Sequence, residues 1–340
     1  VTLDTCRPQA DGLAASLLAA TLVLGLLGAS IGSSGWENIW HTIWQLDGDA
    51  LAWHILWEIR LPRTLGAWLA GALLGLAGAV AQGVFRNPLA DPYLLGSASG
   101  AALGSAIAVV FWGASPVLAD WLARLGLVGL AFLGAAGAVL LTVLLAGGVH
   151  NSLRLLLAGV VVGVVLGALR HLLQLAQPHT LQALQSFLLG STAFVGWQAC
   201  LLMAWGWLLC VLLAYALSRL LDALTLGEAT AASLGLPLAP MRAALVLVLA
   251  LATGLAVAHT GLVAFVGLAA PHVVRSIVPL SHAWQVWLAS VMGGVLLLAA
   301  DIAARWLMAP QELPVGVLTA ILGGSYLLWL MQQRTRAGMS

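Results

Sequence analysis

Charged side chains are scarce in this sequence, so those beside or inside apolar runs are where chemistry is to be sought. "ILWEIRLPRTLG" places Arg60 and Arg63 at the mouth of a long apolar run. Three residues apart, they share one helix face. A guanidinium is permanently charged and can grip a carboxylate with two parallel hydrogen bonds. "LLLAADIAARWL" sets Asp301 and Arg305 four apart, where they can pair along a helix. That spacing reads as partial neutralisation of Arg305 near a membrane boundary. "VVLGALRHLLQLA" is interrupted by Arg170 and His171, which suit either snorkelling to an interface or a place on a transport path.

Other chemistries are excluded. The thirteen basic residues are all arginine, so the lysine of a phosphate-binding Walker loop is missing. Cys6, Cys200 and Cys210 are odd in number and far apart, which argues against a disulfide framework or a zinc site. His41, His54, His150, His171, His179, His259, His272 and His282 are scattered, and no nucleophile stands beside a base. No basic block suggests nucleic acid.

The elements that carry these residues are membrane helices. Hydrophobic residues make up 62% of the chain, charged ones 7%, and mean hydropathy is +1.04. A soluble domain carries roughly a quarter charged residues. The 340 residues suffice for about ten spans of roughly 20 residues. Apolar runs fall near 13–31, 60–82, 93–112, 125–147, 154–176, 195–218, 241–258, 261–278, 285–307 and 314–333. The first run is too long for a secretory signal, and further runs follow it. Gly and Pro rather than charge divide several neighbours, and "AHTGLVAF" marks a seam where a half-helix or re-entrant piece fits.

Orientation follows from arginine asymmetry. With the amino terminus inside, Arg7, Arg86, Arg154, Arg219, Arg242, Arg275, Arg334 and Arg336 fall inside, against Arg60, Arg63, Arg124, Arg170 and Arg305 outside. "GWENIWHTIWQL" puts Trp36, Trp40 and Trp44 on one helical stripe; with Trp53 and Trp57 it reads as an amphipathic segment at the outer interface.

Two inner-side features remain. Residues 218–242, "SRLLDALTLGEATAASLGLPLAPMR", form the longest polar-dotted stretch there. Glu228 near the start and Gly235 then Pro237 at the end bound a short helix, which is either a plain connector or a docking knob for a cytosolic partner. "FRNPLADPYLLG" carries the turn dipeptides Asn87-Pro88 and Asp91-Pro92.

"RLPRTLGAWLAGALLGLAGAVAQGVFRNPLADPYLLG", "RLLLAGV", "TLGEATAASLGL", "GLVAFVGLAAPHVVR", "LLLAADIAAR" and "ELPVGVLTAILGGSYLLWL" occur in this order over residues 50–333. Together they resemble the permease subunits of iron-siderophore, haem and cobalamin importers, the type II group of ATP-binding-cassette importers. The resemblance implies an all-α polytopic membrane protein of about ten helices. It implies one permease domain spanning 1–340, with the coupling-helix loop near 219–240. It also implies two copies around a central path, two cytosolic ATPase subunits that use ATP and Mg, and a periplasmic binding protein. The site would be the bacterial inner membrane with both termini cytoplasmic. The chain itself would be non-catalytic, without a permanently bound cofactor or metal.

By the same resemblance, Arg60, Arg63 and Arg305 face the periplasm and meet glutamates of the binding protein. Leu226, Gly227, Glu228, Ala231, Ser233, Leu234 and Gly235 contact the ATPase. Asn87 and Leu89, with Asn151, Ser152 and Leu153, form the cytoplasmic gate, where Leu153 departs from the small hydroxylated residues of cobalamin permeases. Arg170 and His171 are pathway residues. Haem, a ferric siderophore and cobalamin are all open as cargo. Haem is favoured because a cation can meet a propionate, His is an iron ligand, and Trp is abundant (15 residues). The rival class, a gradient-driven transporter, would place paired carboxylates or a carboxylate–His relay at the membrane midplane, and the sequence offers none.

Overall fold

The computed structural model describes residues 7–32, 35–36, 50–112, 121–149, 151–178, 181–233 and 235–337. Seven of the described helices are long and apolar enough to cross a membrane, and two shorter apolar helices accompany them. In chain order these are α1 (Arg7–Ser30), α2 (Ala50–His54), which runs through a π-helical turn (Ile55–Arg60) into α3 (Leu61–Phe85), α4 (Ser97–Trp112), α5 (Trp121–Leu145) and α6 (Ser152–Ala176). Then follow α7 (Leu181–Leu189), α8 (Trp197–Ala216), α9 (Ser218–Thr225), α10 (Glu228–Ser233), α11 (Leu238–Thr260), α12 (Val266–Ile277), α13 (His282–Trp306) and α14 (Val315–Ala337). Ile31–Gly32 and Gly35–Trp36 make a two-residue antiparallel bridge.

The bundle is organised around α3. Its sequence "LAGALLGLAGAVAQGVF" is apolar on all sides, the pattern of a helix buried all round, and nearly every residue of it is buried. Small residues let other backbones come close, which is how helices associate in lipid. A Cβ at Gly78 would lie 1.6 Å from the carbonyl oxygen of Gly267 on α12, and one at Gly71 would lie 2.3 Å from that of Gly293 on α13. By contrast α1, α6 and α8 bury only a minor share of their lengths and present broad apolar faces.

One expected span is different. The run over 261–278 is not a full crossing helix: residues 261–265 are non-helical and α12 has 12 residues. Gly261 (φ +67°) and Phe265, left-handed at the start of α12, break the run, whereas Pro271 sits inside α12 without ending it. The irregular backbone is covered by protein: Leu262 N–H donates to the Phe187 carbonyl at 3.0 Å, Ser191 N–H to the Thr260 carbonyl at 2.8 Å, and Tyr93 Oη to the Val263 carbonyl at 3.0 Å. Exposed to lipid, it could not persist. The helix α7, which supplies part of this cover, lies in a stretch that the apolar pattern leaves unassigned. Trp40 and Trp44 lie outside the described residues. Trp53 and Trp57 stack with centroids 6.4 Å apart, and Trp57 meets Trp197 at 5.3 Å.

Candidate functional site: charged clusters at the two ends of α3

Arg63 stands in the first turn of α3 and Arg86 caps its far end, so the two are roughly 35 Å apart along the helix axis. Each belongs to a cluster, and the clusters therefore occupy opposite ends of the bundle.

At the Arg63 end, Asp301 on α13 is the centre and is 0% exposed. Arg63 donates to its Oδ1 through Nε at 3.3 Å and Nη2 at 3.2 Å, and Thr192 Oγ1 donates to the same oxygen. Arg305 Nε donates to Oδ2 at 2.9 Å, joined by its Nη2. The remaining donors are also matched. Arg305 Nη1 reaches the carbonyls of Gly28 at 2.8 Å and Ile31 at 3.2 Å, and Arg63 Nη1 reaches both oxygens of Glu312 at 2.9 Å. Arg60, also buried, donates from Nη1 to the Ser30 carbonyl at 3.4 Å. The cluster thus binds α1, α3, α13 and the loop after α7 into one end-piece.

This placement corrects the expectation of three outward guanidiniums. Arg305 is 1% exposed, and the Arg63 side chain 9%. A buried charge is tolerable only when paired and hydrogen-bonded, and Asp301 supplies that pairing for both. Asp301 is therefore more than a boundary counter-charge to Arg305. Thr192 and Glu312 were not legible as members. Thr192 lies in a loop with no charge pattern, and Glu312 is six residues beyond the end of α13. Glu312, with its side chain 28% exposed, is where the cluster meets the surface.

At the Arg86 end, the short helix expected over "LGEATAASLG" is α10, and a further short helix, α9, precedes it. Gly227 (φ +102°) and Gly235 (φ +74°) flank α10 with backbone that favours glycine. Glu228 Oε1 accepts from Arg242 Nη2 at 2.7 Å and from Arg86 Nη2 at 3.3 Å. Asp222 on α9 accepts from the backbone N–H of His282 at 3.0 Å and pairs with its Nδ1 at 2.7 Å. Burial opposes ionisation of Asp222, but the His282 contacts outweigh it and hold the carboxyl below its ordinary value. Leu226, Thr230 and Ser233 are exposed, Gly227 and Glu228 partly so, and Gly235 is open to solvent. Ala231, expected as a partner contact, is instead buried against the core, where its small side chain lets α10 lie close on the bundle. Leu234 lies outside the described residues.

The two turns expected at the gate are shaped by asparagine. Asn87 Oδ1 accepts from Leu89 N–H at 3.0 Å; Asn151 Oδ1 accepts from Leu153 N–H at 3.0 Å and Arg154 N–H at 3.1 Å, capping α6. Leu89 and Leu153 point outward and Ser152 is half-buried. Asp91 accepts from Tyr93 N–H at 2.8 Å, while burial pushes its carboxyl above the usual range. On α6, Arg170 Nη2 meets His171 Nε2 at 3.0 Å, and His171 Nδ1 meets Gln174 Oε1 at 3.1 Å. His171 is on the helix's uncovered face, whereas Arg170 turns toward a cavity of about 90 Å³ beside Ser99, Ala102 and Leu262.

The described residues form a helical membrane bundle with a half-helix and a polar helix pair at one end. Residues 17–333 match the model of the FecCD transport family, and the chain belongs to that family. It is 38% identical over 291 residues to the hemin transport system permease protein HmuU of Yersinia pestis, covering 84% of this chain and 86% of that one. It is also 38% identical over 290 residues to the vitamin B12 import system permease protein BtuC of Salmonella typhi, covering 83% and 84%. Among solved structures, a metal-chelate type ABC transporter in an inward-facing conformation superposes with a TM-score of 0.82 at 29% identity, over 94% of this chain and 98% of that one. The fold is that of a type II permease of ATP-binding-cassette importers.

Proposed function

We propose that this chain is the non-catalytic permease subunit of an ATP-driven importer for an iron chelate, with haem as the cargo. It acts as a single permease domain, paired with a second copy in the inner membrane and with both termini cytoplasmic. Two cytosolic ATPases engage the α9–α10 face, and a periplasmic binding protein delivers cargo to the Arg63 end. The observation that carries this reading is the pair of charged clusters at opposite ends of one buried helix. Each offers a rigid handle for a partner on its own side of the membrane.

The two ends work differently. At the α10 face, exposed Leu226, Thr230 and Ser233 with Gly235 present a small knob for an ATPase cleft. Closing of the nucleotide-bound pair shifts the permease only through contacts that differ between its states, so a rigid handle is required. At the other end, a carboxylate of the binding protein reaches Arg63 only by replacing Glu312. Docking at Arg63 is then an exchange of acidic partners, which favours register and encounter over raw affinity, while the buried Arg60 and Arg305 hold the end-piece together.

Haem is favoured by Arg170 and His171. His171 lies on the uncovered face of α6, where a path between two copies would run, and a guanidinium beside it suits a propionate. Weak contacts are wanted there, since a tight ligand would hold the cargo. Vitamin B12 is the second reading, because relatives named for hemin and for vitamin B12 are equally identical to this chain. Uptake by proteoliposomes holding the permease with its ATPase decides the matter. Hemin, a ferrichrome-type chelate and cyanocobalamin are offered in turn, each on its own binding protein. ATP-dependent hemin uptake is expected. Uptake of cyanocobalamin alone would replace the cargo, and uptake without ATP would refute the class.

A further inference from the structure

The residue that closes α3 is unusual. Arg86 is the C-cap and adopts a left-handed conformation, φ +50° and ψ +36°. Glycine is the default there because it has no Cβ to clash. Among the described residues only Arg86 and Phe265 have positive φ without being glycine. An arginine at such a position carries a conformational cost that its side chain has to justify.

That side chain spans to Glu228 on α10, 3.3 Å from Nη2 to Oε1. The same oxygen accepts from Arg242 Nη2 at 2.7 Å. The two arms are unequal. Arg242, in the first turns of α11, has a side chain only 3% exposed, whereas that of Arg86 is 41% exposed. The Arg242 arm is short and enclosed, so α10 is fixed to α11. The Arg86 arm is longer and solvated, and a shift of α10 breaks or remakes it first. Arg86 is also the residue directly before the Asn87–Leu89 turn, and Asn87 N–H is bonded to the Gln82 carbonyl at 3.2 Å within the same cap. Whatever moves the Arg86 side chain therefore acts on the end of α3 and on the turn that follows.

We propose that Arg86 is a positioning residue for transport: through Glu228 it ties the gate turn at Asn87–Leu89 to the movement of α10, while Arg242 anchors α10 to α11. This rests on the permease reading above, in which α10 receives the ATPase. It assigns the coupling to one labile ion pair rather than to the packing of α10 alone.

The test exploits the backbone. Arg86→Gly relieves the left-handed strain and removes the arm at once. The complex of permease and ATPase is reconstituted in proteoliposomes with hemin, or with cyanocobalamin if hemin is not moved by the wild type. ATP hydrolysis, uptake and thermal stability are read together. Arg86→Gly is expected to keep or raise the melting temperature and to retain ATP hydrolysis. Uptake per ATP falls roughly two- to fivefold, the range an exposed ion pair can support. Arg86→Lys, which keeps the charge, restores part of the ratio. An unchanged ratio in Arg86→Gly, or a loss that tracks a lowered melting temperature, would overturn the inference while leaving the permease reading intact. A wild-type chain that recruits no ATPase would overturn both.

Discussion

Asp301→Asn is the sharpest probe of the cluster at the head of α3. The substitution keeps the shape and removes one negative charge. Asp301 now accepts from Arg63, Thr192 and Arg305 on both oxygens. An asparagine can present its carbonyl to only one side, so its amide would face N–H donors across the other. Two guanidiniums, with side chains 9% and 1% exposed, would lose their shared partner. Breaking a buried pair typically costs about 3–5 kcal/mol. The lower half of that range is expected, because Arg63 keeps Glu312 and Arg305 keeps the Gly28 and Ile31 carbonyls. Denaturant titration of the detergent-solubilised protein, followed by tryptophan fluorescence, measures the change. A melting temperature lower by on the order of 10 °C should accompany it. Adding Arg305→Met removes one orphaned charge and should recover part of the loss. A drop below about 1 kcal/mol, or a further loss in the double variant, would show that the cluster is not a lock.

Gly78→Ala drives a methyl into the Gly267 carbonyl oxygen, 1.6 Å from the ideal Cβ position. It should cost about 3 kcal/mol or prevent folding, read as the monodisperse fraction on size exclusion, with Gly137→Ala, whose Cβ meets nothing, as the unaffected control. Glu312→Gln frees a competitor from Arg63 and should tighten binding-protein docking by up to about fivefold; weaker docking in a surface-binding assay would refute the exchange. The Asp222 carboxyl is held below its ordinary value of 3.8, so its stabilising contribution is full above that value and fades as pH falls through the lower folded-state value. Asp222→Asn should therefore flatten the acid limb of a stability–pH profile below about pH 4, and an unchanged limb would assign that limb to other groups.

Much of this architecture is legible in the sequence. Scarce charge and long apolar runs require membrane helices, because backbone in lipid must satisfy its own hydrogen bonds. The i, i+4 spacing of Asp301 and Arg305 announced their pairing, and Glu228 followed by Gly235 and Pro237 announced a short helix. Even the seam at "AHTGLVAF" was visible, since a glycine rather than a charge divides two apolar runs there. Less legible was α7, whose nine residues carry no clear boundary signals.

Sequence by itself determined that this is a helical membrane protein, where its long helices run, and which family motifs it carries, since local periodicity and hydropathy act within one segment. Tertiary structure decided what the arginines do. Whether a guanidinium faces water or a carboxylate depends on residues as far away as Asp301 is from Arg63, 238 positions along the chain. Spacing within a helix cannot encode that. It is the close approach of α1, α3 and α13, permitted by glycine and alanine, that encloses the cluster and makes pairing the condition for its charge to exist.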